Sequence, residues 1–188
     1  MSPVASFTAP RIAPLEPPYP SDIQAQFDRI MRGAPPLMLF RVIAGNARAW
    51  DKFRAAGLLD GGPLSLRERE IVIDRTCART GCEYEWGVHI AIFARAAGLT
   101  EEQIHATVKG APDDACWSAA EQALIAAVDA LHDRATLSAA EFTALAEHYD
   151  EAKIFEIMLL CGFYRTVAYI ANGLALPLEE KAVRFPEN

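Results

Sequence analysis

Residues 66–100 read LREREIVIDRTCARTGCEYEWGVHIAIFARAAGLT, and the fold class turns on how the apolar residues recur along this stretch. It reads as two antiparallel helices, near 65–80 and 82–97, lying either side of Gly81. At about 100° per residue, Cys82, Glu85 and His89 (i, i+3, i+7) fall on one stripe of the second helix. Trp86 and Phe93 continue that face at helical spacing, which predicts that it points inward. Polar groups there cost free energy unless they find partners. Glu70 sits on the preceding helix, within reach of the same face.

Outward from this pair, the chain is punctuated by five capping-box patterns, in which a Ser or Thr is followed three residues later by Glu or Gln. They are Ser21 to Gln24, Ser65 to Glu68, Thr100 to Gln103, Ser118 to Glu121 and Ser138 to Glu141. Each precedes apolar residues at helical spacing, predicting about eight helices near 21–32, 37–57, 65–80, 82–97, 101–109, 118–134, 138–148 and 150–174. Gly57, Asp60-Gly61-Gly62-Pro63, Gly98 and the 110–112 segment supply the stops. No sustained apolar/polar alternation is present and no Asn-Gly or Asp-Gly turn separates two apolar runs, so the class is all-α.

With 188 residues, 52% hydrophobic and 23% charged, the chain suits one globular domain, residues 21–188, with a single core. Residues 1–20 hold six of the twelve prolines and read as an extended N-terminal arm, because each proline fixes φ and removes a donor. Such an arm is either a loose tail or a wrap onto a neighbouring subunit. The net charge of −7 leaves no broad basic surface for nucleic acid or anionic lipid. The most apolar run, residues 157–163, is too short to span a bilayer. The four cysteines, Cys77, Cys82, Cys116 and Cys161, follow no secreted-domain spacing, so a reducing, cytoplasmic setting with free thiols is expected.

Taken singly, Cys82, His89 and Glu85 are ordinary: a small buried hydrophobe, a hydrogen-bonded core histidine, an i, i+4 helix pair. Together with Glu70 they form a titratable cluster in an apolar setting, the arrangement that perturbed pKa values require. Arg67, Arg69, Arg75, Arg79 and Arg165 are candidates to hold an anionic substrate. Trp86 is a candidate to wall the pocket, although packing in the core is the commoner role.

The glutamate, cysteine and histidine spacing resembles the carboxymuconolactone decarboxylase / alkylhydroperoxidase D-like (AhpD-like) family, whose peroxidase branch carries Glu, then Cys-x-x-Cys, then His four residues on. Aligned on His89, Glu70 falls at the family's glutamate and Cys82 at its first cysteine. Glu85 stands where the second cysteine would be, so the pattern here is C-x-x-E-x-x-x-H. The likeness is strong over 65–105 and weaker over 118–178. It implies an AhpD-like helical bundle, a homo-oligomer (dimer, trimer or hexamer), a small-molecule substrate, and no metal or other cofactor.

The family's chemistries are decarboxylation of a small lactone dicarboxylate, a lyase reaction, and dithiol peroxide reduction, a peroxiredoxin-type oxidoreductase reaction. For the first, His89 would be the acid/base, Glu70 and Glu85 its orienters or proton partners, and Cys82 part of the lining. For the second, Cys82 would attack the peroxide, but Glu85 removes the local resolving thiol and disfavours a nearby thiolate. Cys77 could resolve Cys82 only if the backbone breaks near Gly81. A metal site is disfavoured, since i, i+3, i+7 ligation from one helix is awkward for a tetrahedral ion. A non-catalytic helical binding or scaffold oligomer is the remaining reading.

Overall fold

Four of the five capping boxes form. The side chains of Ser65, Thr100, Ser118 and Ser138 each accept from the backbone N–H three residues on, and Glu68, Gln103, Glu121 and Glu141 reach back. The fifth does not: Ser21 is already helical, its N-cap is Pro20, and no side chain caps the helix. Gln24 instead bonds Asp28 within the helix.

The computed structural model describes residues 9–187; residues 1–8 of the Pro-rich arm lie outside them. The described residues form nine helices and no strand. These are α1 (Ser21–Met31), α2 (Met38–Ala44), α3 (Ala47–Ala55), α4 (Leu66–Arg79), α5 (Glu83–Phe93), α6 (Glu101–Lys109), α7 (Ala119–Arg134), α8 (Ala139–Ala146) and α9 (Glu151–Gly173). The ninth arises because the expected 37–57 helix divides. Gly45 closes α2, and Asn46, at φ −124° and ψ 107°, caps α3 by accepting from the Ala49 N–H. An asparagine there offers the backbone a partner that competes with helix continuation.

Residues 9–20 form neither helix nor strand and lie along their own domain. The Arg11 N–H donates to the Leu174 carbonyl at 2.8 Å, and the Leu15 N–H to Arg41 at 2.9 Å. Arg41 returns a bond from Nε to the Leu15 carbonyl at 3.1 Å.

α4 is the hub, packed against α5, α6, α7 and α9. It is buried nearly all round from Glu70 to Cys77, which explains why polar residues on it need dedicated partners. Arg75 is the clearest case. Its guanidinium grips both Asp129 oxygens on α7, at 2.7 and 2.6 Å, and donates to the carbonyls of Ala106, Thr107 and Gly110 at the end of α6. α9 is long and apolar enough to cross a membrane by length and composition, a length that the short 157–163 run did not convey. Here Ile157, Leu160, Tyr164 and Val167 are buried, and the helix packs on α4, α5, α7 and α8.

The turn between α4 and α5 sets the site. Gly81 takes the left-handed conformation at φ +63°, cheap for glycine alone. The Gly81 N–H then donates to Ala78 at 3.0 Å and the Cys82 N–H to Cys77 at 2.8 Å. This paired closure is a Schellman motif, and it folds α5 back against α4. Replacing Arg75 by Met should leave Asp129 with only the more distant Arg79 and strip the Thr107 and Gly110 carbonyls of that donor, costing about 3 kcal/mol, read as a lowered midpoint in chemical denaturation.

Candidate active site

The imidazole of His89 is buried between two carboxylates from different helices. Its Nδ1 lies 2.7 Å from Oε2 of Glu70 on α4, and its Nε2 lies 3.5 Å from Oε1 of Glu85, one turn earlier on α5. Glu70 is fully buried and His89 is 2% exposed. Burial pulls the imidazole pKa down, but the hydrogen bonds and charges of Glu70 and Glu85 outweigh it and raise the pKa to about 10. The ring is therefore an imidazolium at neutral pH, donating at both nitrogens.

The other Glu70 oxygen, Oε1, accepts from Arg69 at 2.8 Å (Nε) and 2.7 Å (Nη2). Of the five arginines expected as anion binders, Arg69 alone touches the cluster. Arg67 pairs with Glu121, Arg75 with Asp129, and Arg79 with Asp129 and Asp133, while Arg165 bonds Tyr169 and the His132 carbonyl. The Arg69 guanidinium stacks over Phe93 at 5.3 Å. Phe93 and Tyr164 in turn flank the His89 ring, with centroids 5.2 and 5.1 Å away.

Cys82 is buried and stands at the cap of α5 rather than inside the helix, with its thiol still beside Glu85. It is the N-cap of α5, at φ −89° and ψ 75°, because Gly81 ends one helix and the next begins at Glu83. Burial pushes its thiol up to about 12; the Glu85 backbone N–H opposes this and the Glu85 carboxylate reinforces it. Glu85 is thus the group that thiol and imidazole share.

Trp86 does not join the cluster. It is fully buried, with its indole N–H on the Thr107 hydroxyl at 3.0 Å and its ring against Phe185. The expectation that it walls a substrate pocket gives way to a packing role, fixed by that bond. Phe185 reaches it because residues 182–185 cross α5 at Gly87, where the Val183 N–H donates to the Gly87 carbonyl at 3.1 Å. A Cβ on Gly87 would lie 2.2 Å from the Val183 oxygen.

Asp74 was not singled out from the sequence. It sits one turn beyond Glu70, 1% exposed, with neither carboxyl oxygen hydrogen-bonded. Desolvation raises its pKa well above the ordinary range, with Glu70 adding to the rise and His89 opposing it. An acid four residues after Glu70, inside the apolar run Ile71-Val72-Ile73, was the available signal. The second Glu85 oxygen is also unpartnered. Among the described residues, no group of three His, Cys, Asp or Glu side chains is arranged to hold a metal ion.

A family model matches residues 44–129, from the last residue of α2 into α7, and so contains the whole α4–α5 unit. The match is to the carboxymuconolactone decarboxylase family. The fold recurs in solved structures of low sequence identity. An uncharacterized peroxidase-related protein from Silicibacter sp. TM1040 superposes with a TM-score of 0.78 at 18% identity, over 99% of each chain. The alkylhydroperoxidase AhpD core of a peroxidase-related protein from Ralstonia eutropha JMP134 gives 0.78 at 18%, over 93% of this chain and 94% of that one. A debrominase, Bmp8, in complex with 2,3,4-tribromopyrrole gives 0.69 at 15%, over 89% and 91%. No curated protein matches the chain in sequence. The likeness establishes an AhpD-like helical fold around the carboxymuconolactone decarboxylase segment.

The raised His89 pKa carries a stability signature. A group whose pKa is higher folded than unfolded stabilises fully below its unfolded pKa and stops doing so above its folded one. The advantage of this protein over a His89→Gln variant should therefore be full below pH 6.5 and fade as pH rises towards 10. Thermal unfolding of both proteins across that window measures it; a difference that stays constant would show that the imidazole is not held charged.

Proposed function

We propose that this protein is a carboxymuconolactone decarboxylase-like enzyme that uses acid–base chemistry on a small organic acid or lactone. The observation that supports it most is the imidazolium of His89 set between Glu70 and Glu85. A general acid needs a proton at an atom held in place, and a carboxylate on the far nitrogen fixes both tautomer and orientation. Glu70 plays the orienting part through Nδ1. Nε2 is the nitrogen that exchanges a proton with substrate, and Glu85, only 3.5 Å away and with one oxygen unpartnered, is its proton partner. Arg69, already inside the cluster, is the arginine suited to a substrate carboxylate. Cys82 lines this site as a neutral thiol.

In the decarboxylation of a β-keto-like or vinylogous acid, loss of CO2 leaves an electron pair that must be protonated or delocalised onto oxygen. His89 Nε2 supplies the proton to that carbon or oxygen, and Glu85 restores it from solvent. Proton transfer by such a positioned group contributes roughly 10²–10⁴-fold in rate. With carboxymuconolactone as the probe and CO2 release as the readout, His89→Gln should lower kcat by about that factor, and Cys82→Ala by far less. Unchanged turnover in His89→Gln would sink this reading.

A second reading, thiol-dependent hydroperoxide reduction through Cys82, is favoured by one observation: the sulfur sits at the N-terminus of α5, where the Glu85 N–H favours the thiolate. Complete loss of organic hydroperoxide turnover with a dithiol donor in Cys82→Ala, beside full activity in His89→Gln, would select it.

We further propose that the working form is a homo-oligomer in the cytoplasm. Phe155, Met158, Leu159 and Tyr169 leave an exposed apolar strip along α9, the kind of surface that associates. Light scattering coupled to gel filtration should return a multiple of 20.6 kDa, and Leu159→Glu should shift it towards the single-chain mass.

A further inference from the structure

Cys77 is the one nucleophile in the buried cluster for which acid–base chemistry has no use. It is fully buried on the last full turn of α4. On a continuous helix it would be on the far side from Cys82, five residues on. The chain is not continuous there. Gly81 reverses it, and the Cys82 N–H bonds the Cys77 carbonyl at 2.8 Å. Cys77 and Cys82 therefore hold the third-last helical position and the second position after the cap of one Schellman motif. Side chains at those two positions characteristically touch. Disulfides join Cα atoms about 4.4–6.8 Å apart, a span that a closed turn of this kind provides.

We propose that Cys77 and Cys82 form a reversible disulfide across the α4–α5 turn when the protein meets an organic hydroperoxide, so that Cys77 serves as the resolving thiol that Glu85 displaces from the helix. The inference goes beyond the acid–base reading and does not rest on it. Burial raises the Cys77 pKa, and the Cys82 charge raises it further.

The chemistry balances with hydroperoxide as oxidant. The Cys82 sulfur attacks the outer peroxide oxygen, the O–O bond breaks, and the alcohol leaves carrying the thiol proton; Cys82 is then a sulfenic acid. The Cys77 sulfur attacks that sulfur, the S–O bond breaks, and water departs with the second proton. Two thiols supply two electrons. Neighbouring Thr80 is half-buried and Gly81 exposed, so the sulfurs lie directly behind a surface turn and opening of that turn admits the oxidant. Cys116 and Cys161 have no comparable geometry: Cys161 meets Thr76 on another helix, at 3.8 Å.

The experiment treats the full chain with tert-butyl hydroperoxide, blocks remaining thiols with N-ethylmaleimide and maps tryptic peptides. Cleavage after Arg75, Arg79 and Arg95 puts the two cysteines on separate peptides, 76–79 and 80–95. The expected result is loss of two thiols of the four, with those peptides joined and separated again by dithiothreitol. In Cys77→Ala, Cys82 should instead advance to sulfinic acid. The proposal is overturned if all four thiols of the unmodified protein survive, if its Cys82 is overoxidised while Cys77 stays free, or if Cys82 is linked to Cys116 or Cys161. The map on the unmodified protein decides the matter even if the variant fails to fold, and none of these outcomes bears on His89-dependent turnover.

Discussion

A charged imidazole in a dry interior is costly, and the packing around α4 and α5 is organised by what makes it tolerable. Each ring nitrogen of His89 faces a carboxylate, Glu70 at 2.7 Å and Glu85 at 3.5 Å. Arg69 closes on the remaining Glu70 oxygen. Arg69 and the imidazole thus face two carboxylates, and desolvation raises the pKa of the fifth ionisable group, Asp74. Removing one member would leave another uncompensated, where losing a buried partner typically costs more than the pair contributes. The set is cooperative, which is why one helix can carry Glu70, Asp74 and Arg75 through the middle of a core.

Position in this set comes from backbone devices rather than from long-range forces. The Ser65 capping box starts α4 and the Gly81 Schellman turn ends it. α5 begins within four residues, so register between the two helices is fixed over a short distance. α9 then contributes Tyr164 as the aromatic wall over His89. Residues 182–185 hold the opposite side of α5, anchored on the bare Gly87 carbonyl.

The elements were legible in the sequence wherever a local rule decided them. Ser65, Thr100, Ser118 and Ser138 announced their helices because capping is settled within four residues. Ser21 failed because Pro20 took the cap position, and 37–57 divided because Asn46 could cap a second helix, a competition the apolar pattern does not record. In the site, the pairing of Glu85 with His89 followed from helical spacing, and Glu70 was set beside them by the family resemblance. The backbone state of Cys82 did not follow from spacing, since the glycine at positive φ before it makes it a cap rather than a helical residue. Trp86 could not be assigned either: its direction is set by Thr107 and Phe185, residues far along the chain. Asp74 went unread because a single acid in an apolar run looks like a solvated face until its neighbours are known.

The crossing of α5 by residues 182–185, and the packing of α9 on α4, also set an order of events in time. A chain is made from its N-terminus, and α9 begins more than fifty residues after α5 ends. Until α9 and residues 182–185 are made, the α4–α5 unit lacks Tyr164 against His89 and Phe185 against Trp86. The charge of His89 is favoured by Glu70 and Glu85, which α4 and α5 already supply, whereas the burial that α9 completes with Tyr164 opposes it, so the last helix to be made closes over the site against an electrostatic cost.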